Sequence, residues 1–181
     1  MEDGDYGSVV DVPGLDTEAR LVVRRREHAG GGGIVTITLN RPDKHNAQGP
    51  ATWHGLATVG RWLDGDVRAV IVRGAGPSFS SGLDRSLVNP TAPTSTADIE
   101  GYQAGFRWLR DPSIVSIAAV HGYALGAGCQ LALACDLRVL ADDAQLALPE
   151  PSLGLVPDLT GTHPLVHLVG YARALEMTLT G

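Results

Sequence analysis

The spacing of apolar residues along the chain predicts strands and helices in alternation. Between Ala51 and Asp64 the apolar residues recur every three or four positions, which is typical of an amphipathic helix. Further helices are predicted over residues 98–109, 127–134 and 173–179. Short apolar runs predict strands over residues 21–28, 34–39, 69–72, 116–120, 137–140 and 144–148. This alternation implies an α/β fold in which both faces of the sheet are covered.

The remaining segments are rich in glycine, serine, proline or aspartate and predict turns and loops. Residues 30–33 predict a turn, residues 74–81 a glycine–serine loop, and residues 89–96 a flexible segment with two prolines. Residues 1–19 show no apolar period and are interpreted as a flexible leader. Residues 20–181 are then long enough to form a single domain with its own core.

Composition narrows the class of protein. The 181 residues are 44% apolar, which predicts a soluble globular chain, and they contain no apolar run long enough for a membrane span. The net charge of −6 and a basic run limited to Arg24–Arg26 argue against nucleic acid as a partner. The acidic first residues lack the apolar core of a signal peptide. Cys129 and Cys135 are predicted to be free thiols, which fits a cytoplasmic protein.

The segment from His121 to Asp136 carries the clearest chemical signal. A predicted strand leads into it, a predicted helix leaves it, and Gly126-Ala127-Gly128 forms the joint. Small residues let a ligand approach the backbone, and the first N–H groups of a helix have no intrahelical partner. Gln130 lies on the same helix face, and Glu150 follows a further apolar stretch. This combination indicates an oxyanion site beside one carboxylate, and hence chemistry on a carbonyl compound.

Four segments in the same order resemble the crotonase (enoyl-CoA hydratase/isomerase) superfamily. They are ITLNRPDKHNA at residues 37–47, RAVIVRGAGPSFSSGLD at residues 68–84, residues 121–136, and AQLALPEPSLGLVP at residues 144–157. The resemblance extends from about residue 21 to residue 181. It implies a single-domain α/β fold built as a spiral of β-β-α units, an acyl-CoA thioester as substrate, and no cofactor other than the coenzyme A of that substrate.

Family members normally continue into a helical C-terminal region, which covers the acyl site and builds much of a trimer interface. We expect that region to be absent from this chain. A homotrimer or hexamer is implied only where the region is present.

The resemblance also assigns roles to individual residues. Leu83 and Ala127 would supply two backbone N–H donors to the thioester oxygen, and one such donor is typically worth about 3–4 kcal/mol in the transition state. The alternative is that both glycine turns are merely tight connections. Glu150 matches the principal acid/base, and its apolar, proline-flanked setting predicts a raised pKa. The alternative for Glu150 is a solvated loop glutamate.

Gln130 departs from the family pattern, since hydratases of the family carry a second glutamate at this position. An amide orients water but cannot accept a proton, so we expect hydration to suffer by about 10²–10⁴ in rate. Isomerisation needs only one carboxylate, which Glu150 supplies. Asp158 matches an aspartate found in dienoyl-CoA isomerases of the family. Its alternative role is an N-cap for a helix that follows Leu159.

Coenzyme A contacts are implied in two loops, where Arg85 could pair with a phosphate. The predicted substrate-binding residues are Asp43, Lys44, His45, Ser81, Gly82, Asp84, Arg85, Ser86, Gly126 and Gly128. No metal site is expected, because His163 and His167 have i, i+4 spacing without an acidic partner.

The sequence therefore favours an acyl-CoA enzyme of the hydratase/isomerase family, with isomerisation ahead of hydration. The alternative from a different class is a non-catalytic acyl-CoA-binding homologue. A third interpretation is a fragment that requires further helices to fold.

Overall fold

The computed structural model describes residues 6–87 and 95–181. The predicted flexible segment at residues 89–96 lies outside them, apart from its last two residues. The strands are β1 (Ser8–Val9), β2 (Leu21–Glu27), β3 (Gly33–Leu39), β4 (Val67–Gly74), β5 (Val115–Val120), β6 (Tyr123–Leu125), β7 (Leu137–Leu140) and β8 (Gln145–Ala147). The helices are α1 (Pro50–Trp62), α2 (Thr96–Arg107), α3 (Ala127–Ala134), α4 (Thr162–Val169) and α5 (Tyr171–Thr180).

Six of the strands form one sheet, in the order β1-β2-β3-β4-β5-β7. The pairs β1–β2 and β2–β3 are antiparallel, whereas the pairs β3–β4, β4–β5 and β5–β7 are parallel. Strands β6 and β8 form a separate parallel pair. An isolated bridge from Ser80 to Ala124 joins this pair to the loop that follows β4. The predicted α/β class is confirmed.

One face of the large sheet forms the core. On this face Val35 of β3 pairs with Val70 of β4, Val72 pairs with Ala118 of β5, and all four are fully buried. They belong to a single apolar cluster with Leu56 of α1, Phe106 of α2 and other helix residues. The expectation that both sheet faces are covered is wrong, because these helices pack on the same side. On the other face Leu137 is 54% exposed and Val139 is 65% exposed.

The flexible leader predicted over residues 1–19 needs correction from Tyr6 onward. Strand β1 pairs with β2, and Val12 is buried. The 3₁₀ turn Thr17–Ala19 packs so closely on α1 that a β-carbon on Gly55 would lie 2.5 Å from the β-carbon of Ala19. A few well-placed apolar residues anchor this segment, and their irregular spacing produces no period in the sequence.

Two further elements were not predicted. Strand β6 has only three residues and lies between Gly122 and Gly126, so its apolar pattern is too short to detect. Helix α4 contains Pro164, and from sequence alone a proline predicts that a helix is interrupted. The proline occupies the first turn of α4, where its missing N–H would have no intrahelical partner in any case. Cys129 and Cys135 are buried free thiols, as predicted.

No helix within residues 6–87 and 95–181 is both long and apolar enough to cross a membrane.

Helices α1 and α2 approach closely at Gly105. A β-carbon there would lie 2.3 Å from the carbonyl oxygen of Trp53. At Gly101, one turn earlier in α2, the nearest atom would be a ring carbon of His54 at 3.5 Å, an ordinary contact.

Gly105→Ala should therefore lower the free energy of unfolding by about 1–3 kcal/mol, because the backbone of α1 has to shift. Gly101→Ala is the matched control and should raise it by up to about 1 kcal/mol, since alanine favours the helix. The urea midpoints of the two variants and the parent test the pair. Equal effects of the two substitutions would contradict close packing at Gly105.

Candidate active site

A cleft of about 650 Å³ lies at the start of α3, between α2, the loop that follows β4 and the 3₁₀ turn Glu150–Leu153. Eight residues of the predicted site line it: Ser81, Leu83, Arg85, Gly126, Ala127, Gln130, Glu150 and Asp158. These positions are up to 77 residues apart in sequence. The fold thus brings most of the predicted site together.

Two residues that line the cleft carry unpaired backbone donors. Gly82 passes the start of α3 so closely that a β-carbon on it would lie 3.3 Å from the amide nitrogen of Ala127. The N–H groups of Leu83 and Ala127 have no acceptor within the described part of the chain. Ala127 is the first residue of α3, so its N–H points out of the helix. The arrangement can hold a partly negative oxygen.

A buried hydrogen-bond network fixes the first of these donors. Gln48 brackets Leu83 in the backbone, since its N–H donates to Gly82 O at 2.7 Å and its carbonyl accepts from Asp84 N at 2.8 Å. Its side chain donates to Ser80 Oγ at 2.9 Å and accepts from Trp53 Nε1 at 2.9 Å. The Leu83 peptide is therefore preorganised. The role of Gln48 was not predicted from the sequence, because it depends on the bridge between residues 48 and 83, which are far apart along the chain.

The three glycines around the start of α3, namely Gly82, Gly126 and Gly128, have different structural roles. Gly126 has φ +51°, a backbone conformation that other residues rarely adopt, and it lies next to the carboxylate, since a β-carbon on it would make an ordinary contact of 3.4 Å with Glu150 Oε1. Gly82 has φ +87° and faces the carbonyl of Leu125. Gly128 does not line the cleft. A β-carbon on it would lie 2.6 Å from Ser80 O, so it serves the close packing of α3.

Glu150 is only 7% exposed, so it is not a solvated loop glutamate. Its Oε1 accepts a hydrogen bond from Gln130 Nε2 at 2.9 Å. Its Oε2 is buried and has no partner in residues 6–87 and 95–181. Burial raises the pKa of Glu150, the nearby charge of Asp158 adds to this, and the hydrogen bond from Gln130 opposes it. A carboxylate with one free oxygen and a raised pKa is suited to proton transfer.

Gln130 is 1% exposed, and its amide joins two segments. While Nε2 donates to Glu150, Oε1 accepts from Leu159 N at 2.8 Å and from Gly161 N at 3.2 Å. A β-carbon on Gly161 would lie 2.5 Å from Gln130 Cγ, so only glycine fits there. Both acceptor positions of the amide oxygen are thus occupied by backbone N–H groups. The amide positions Glu150 and has no acceptor left for water.

Asp158 lines the cleft, and its alternative role as a helix N-cap is wrong. Helix α4 begins at Thr162, and its cap residue Gly161 has no side chain to donate or accept. Burial raises the pKa of Asp158. Its carbonyl accepts from Gln103 Nε2 of α2 at 2.6 Å, which ties the loop to the opposite wall of the cleft.

The predicted coenzyme A residues of the two loops form two groups, one at residues 84–86 and one at residues 43–45. Asp84 and Ser86 bind each other, because Asp84 Oδ1 accepts from Ser86 Oγ at 2.7 Å. Arg41 Nη1 lies 2.6 Å from Asp84 Oδ2. These contacts lower the pKa of Asp84 to about 2. Arg85 is exposed, lines the cleft and forms no ion pair within the described residues.

Asp43, Lys44 and His45 are exposed and do not line the cleft. They are nevertheless attached to its edge, since Ser81 N donates to His45 O at 2.8 Å and Ser81 Oγ donates to Lys44 O at 3.2 Å. The side chain of His45 contacts Ser78 Oγ at 3.0 Å.

Aromatic residues form a wall that the sequence analysis missed. Trp53 of α1 and Tyr102 of α2 line the cleft, with ring centroids 4.9 Å apart. Burial raises the pKa of Tyr102, so its hydroxyl keeps its proton at neutral pH. Helical spacing alone predicts such residues to be core. Their position at the cleft depends on how α2 packs on α1.

A sequence profile described as enoyl-CoA hydratase/isomerase matches residues 29–181. The chain belongs to this family. A probable enoyl-CoA hydratase of Mycobacterium tuberculosis is 35% identical over 169 residues, covering 91% of this chain and 63% of the relative. The 2,3-dehydroadipyl-CoA hydratase of Escherichia coli is 32% identical over 174 residues, covering 90% of this chain and 62% of the relative.

Solved structures of the family share the fold. A Thermobifida fusca protein assigned as an enoyl-CoA hydratase, in complex with CoA, superposes with a TM-score of 0.82 at 46% identity. The match covers 96% of this chain and 68% of that one. Its complex with acetoacetyl-CoA gives a TM-score of 0.81 at 45% identity, covering 96% and 70%. The predicted crotonase fold is confirmed. The chain spans less than two thirds of the curated relatives described above, 62–63% of their length.

Replacing Glu150 tests its burial through the pH dependence of stability. Because the pKa of Glu150 is raised in the folded protein, the native state binds its proton more tightly than the unfolded chain does. Stability is therefore lost as the pH rises from the unfolded pKa, about 4.3, through the higher folded pKa. Glu150→Gln removes this loss. Its melting temperature should exceed that of the parent at neutral pH, and the difference should shrink towards about pH 4.

Glu100→Gln, at an exposed position of α2, is the control and should follow the pH profile of the parent. A difference between Glu150→Gln and the parent that stays constant across this range would mean that the pKa of Glu150 is ordinary.

Proposed function

We propose that the cleft binds an acyl-CoA thioester and stabilises its enolate, with Glu150 as the proton shuttle. The observation that carries this proposal is the free, buried Oε2 of Glu150 beside the unpaired N–H groups of Leu83 and Ala127. The thioester oxygen would lie between the two donors, and charge would build up on it as the carboxylate removes a proton. The CoA and acetoacetyl-CoA complexes of the Thermobifida fusca protein support this choice of ligand.

Isomerisation is the reaction that the residues favour. Glu150 removes a proton from C2 or C4 of an enoyl thioester, the double bond shifts through the enolate, and Glu150 returns the proton at the other end. No second reactant is needed. Hydration needs a group that deprotonates water, and the amide of Gln130 cannot do so. Asp158, half-buried in the same cleft, is an accessory acid in this proposal.

Arg85 is the proposed partner of a coenzyme A phosphate, because it is the cleft cation without an ion pair in the described residues. Asp43, Lys44 and His45 extend this binding edge. A trimeric or hexameric assembly, a cytoplasmic location and the lack of a further cofactor stay predictions that belong to this proposal.

Acyl-CoA binding without turnover is the second candidate. The observation that favours it is the open wall of the cleft, where Leu155 is 37% exposed and Val156 is 71% exposed. A site that is open to water weakens every electrostatic contribution to catalysis. The two candidates differ in what Glu150 contributes.

Incubation of the protein with a 3-enoyl-CoA and a 2-enoyl-CoA in D₂O separates the two candidates. The proposal expects the double bond to move between C3 and C2 without added water, with deuterium incorporated to the extent that the proton on Glu150 exchanges with solvent. Glu150→Gln should slow this shift by about 10²–10⁴ because the proton acceptor is lost. The affinity for the thioester should change little. The ultraviolet absorbance of the conjugated 2-enoyl thioester gives the double-bond shift, mass spectrometry gives added water and deuterium, and calorimetry gives the affinity. Tight binding without a double-bond shift in the parent would support the binding protein.

Gln130→Glu should introduce hydration. A glutamate keeps an acceptor for the N–H groups of Leu159 and Gly161, and it adds a second carboxyl within hydrogen-bond distance of Glu150. Two carboxyls this close separate their pKa values and can act as an acid–base pair. We expect hydration of a 2-enoyl-CoA to rise at least about tenfold. Gln130→Met, similar in size but without a proton-transfer group, is the control and should not hydrate. Efficient hydration by the parent would show that a second carboxylate is not required.

A further inference from the structure

A second cavity, of about 820 Å³, lies on the face of the large sheet opposite the core. It is separate from the active-site cleft and shares no lining residue with it. Its polar lining consists of Arg24, Arg73, Thr38, Asn40, His121 and Asp143. None of these residues takes part in the proposed reaction.

The sheet register brings the two arginines to this cavity. Arg24 of β2 is paired with Thr36, and Arg73 of β4 is paired with Thr38. Both arginines therefore flank β3 on the same face, two residues apart in register. With strands about 4.8 Å apart and a rise of about 3.4 Å per residue, their α-carbons lie roughly 12 Å apart. Arginine side chains can converge across this distance on one ligand.

Neither arginine has a carboxylate partner within residues 6–87 and 95–181. By contrast, Arg25, the next residue of β2 and on the other face, pairs with both Glu27 and Asp64. Arg24 and Arg73 are half-buried, so their charges are partly desolvated without compensation. The guanidinium of Arg73 lies 4.4 Å from the ring centroid of Tyr6, which holds its plane and leaves its N–H edge for another ligand.

The other charged and titratable groups do not cancel this charge. Asp143 contributes one carboxylate, and its Oδ1 accepts from Gly122 N at 3.3 Å. His121 Nε2 contacts the carbonyl of Gly76 at 2.8 Å. Apart from His121, the lining carries two positive charges, from Arg24 and Arg73, and one negative charge, from Asp143. The cavity therefore has a net attraction for anions.

We propose that this cavity binds a phosphate-bearing small molecule, with the phosphate held between Arg24 and Arg73. Guanidinium groups bind phosphate through paired charge-assisted hydrogen bonds, which suits two arginines that lack other partners. Thr38 and Asn40 add neutral hydrogen-bonding groups at the same ends of the strands. The apolar lining from Val22 and Pro77 fits the organic part of such a ligand, since the volume exceeds that of a phosphate alone. This site goes beyond the proposed function of the cleft.

Calorimetric titration of the folded chain with inorganic pyrophosphate tests the proposal. Arg24→Gln and Arg73→Gln should each weaken binding about tenfold or more, because each removes charged hydrogen bonds to the anion. Asp143→Asn should tighten binding, because it removes the carboxylate and keeps an oxygen for Gly122 N. Arg26→Gln and Arg68→Gln, at exposed positions of the same two strands, are the matched controls and should bind like the parent.

Three results would overturn the proposal. The parent could fail to bind pyrophosphate at millimolar concentration. The control variants could lose as much affinity as Arg24→Gln and Arg73→Gln, which would mean diffuse attraction to surface charge. Loss of binding in Arg85→Gln, with Arg24→Gln unaffected, would assign the anion to the active-site cleft. Circular dichroism of each variant establishes that an altered affinity does not reflect unfolding.

Discussion

The side-chain amide of Gln130 is the interaction on which the active site depends. It is the only side chain within the described residues that hydrogen-bonds both to Glu150 and to the loop at residues 159–161. The segment from residue 149 to residue 161 contains three prolines and two glycines and forms no helix or strand beyond the 3₁₀ turn at its start. A buried amide with all its acceptor positions filled is costly to rearrange. The position of the Glu150 carboxylate is therefore set from α3.

Helix α3 is suited to this role by its environment. All eight of its residues are buried, so it is held on every side. At its C-terminal end, Arg110 donates to Leu133 O at 2.9 Å and Arg138 donates to Cys135 O at 2.8 Å. These cations satisfy carbonyls at the negative end of the helix dipole, while the N-terminal end opens into the cleft. The same buried helix thus offers a backbone donor at Ala127 and carries Gln130 one turn later.

The sequence predicted the α/β class and most of the buried strands, because parallel strands with apolar surroundings are continuous apolar runs. It also predicted the residues of the cleft whose signal is local, namely Gly126 and Ala127 at the start of α3 and the carboxylate of Glu150. It could not predict contacts between distant segments. The bracketing of Leu83 by Gln48 and the aromatic wall at Tyr102 depend on how elements far apart in sequence pack. The pairing of β1, which lies in the predicted leader, with β2 was not predicted for the same reason.

In the proposed reaction, the amide of Gln130 decides how many proton-transfer groups the cleft offers. A carboxylate at this position would accept the same two backbone N–H groups, so the loop at residues 159–161 does not require an amide. The amide differs from a carboxylate in one respect, because it donates a hydrogen bond to Glu150. That hydrogen bond lowers the pKa of Glu150, whereas the charge of a second carboxylate would raise it. With an amide there, Glu150 is the single base of the proposed reaction, and its Oε2 has no hydrogen-bond partner within the described residues. Under that proposal, the amide fixes the orientation of the first proton-transfer group in place of supplying a second.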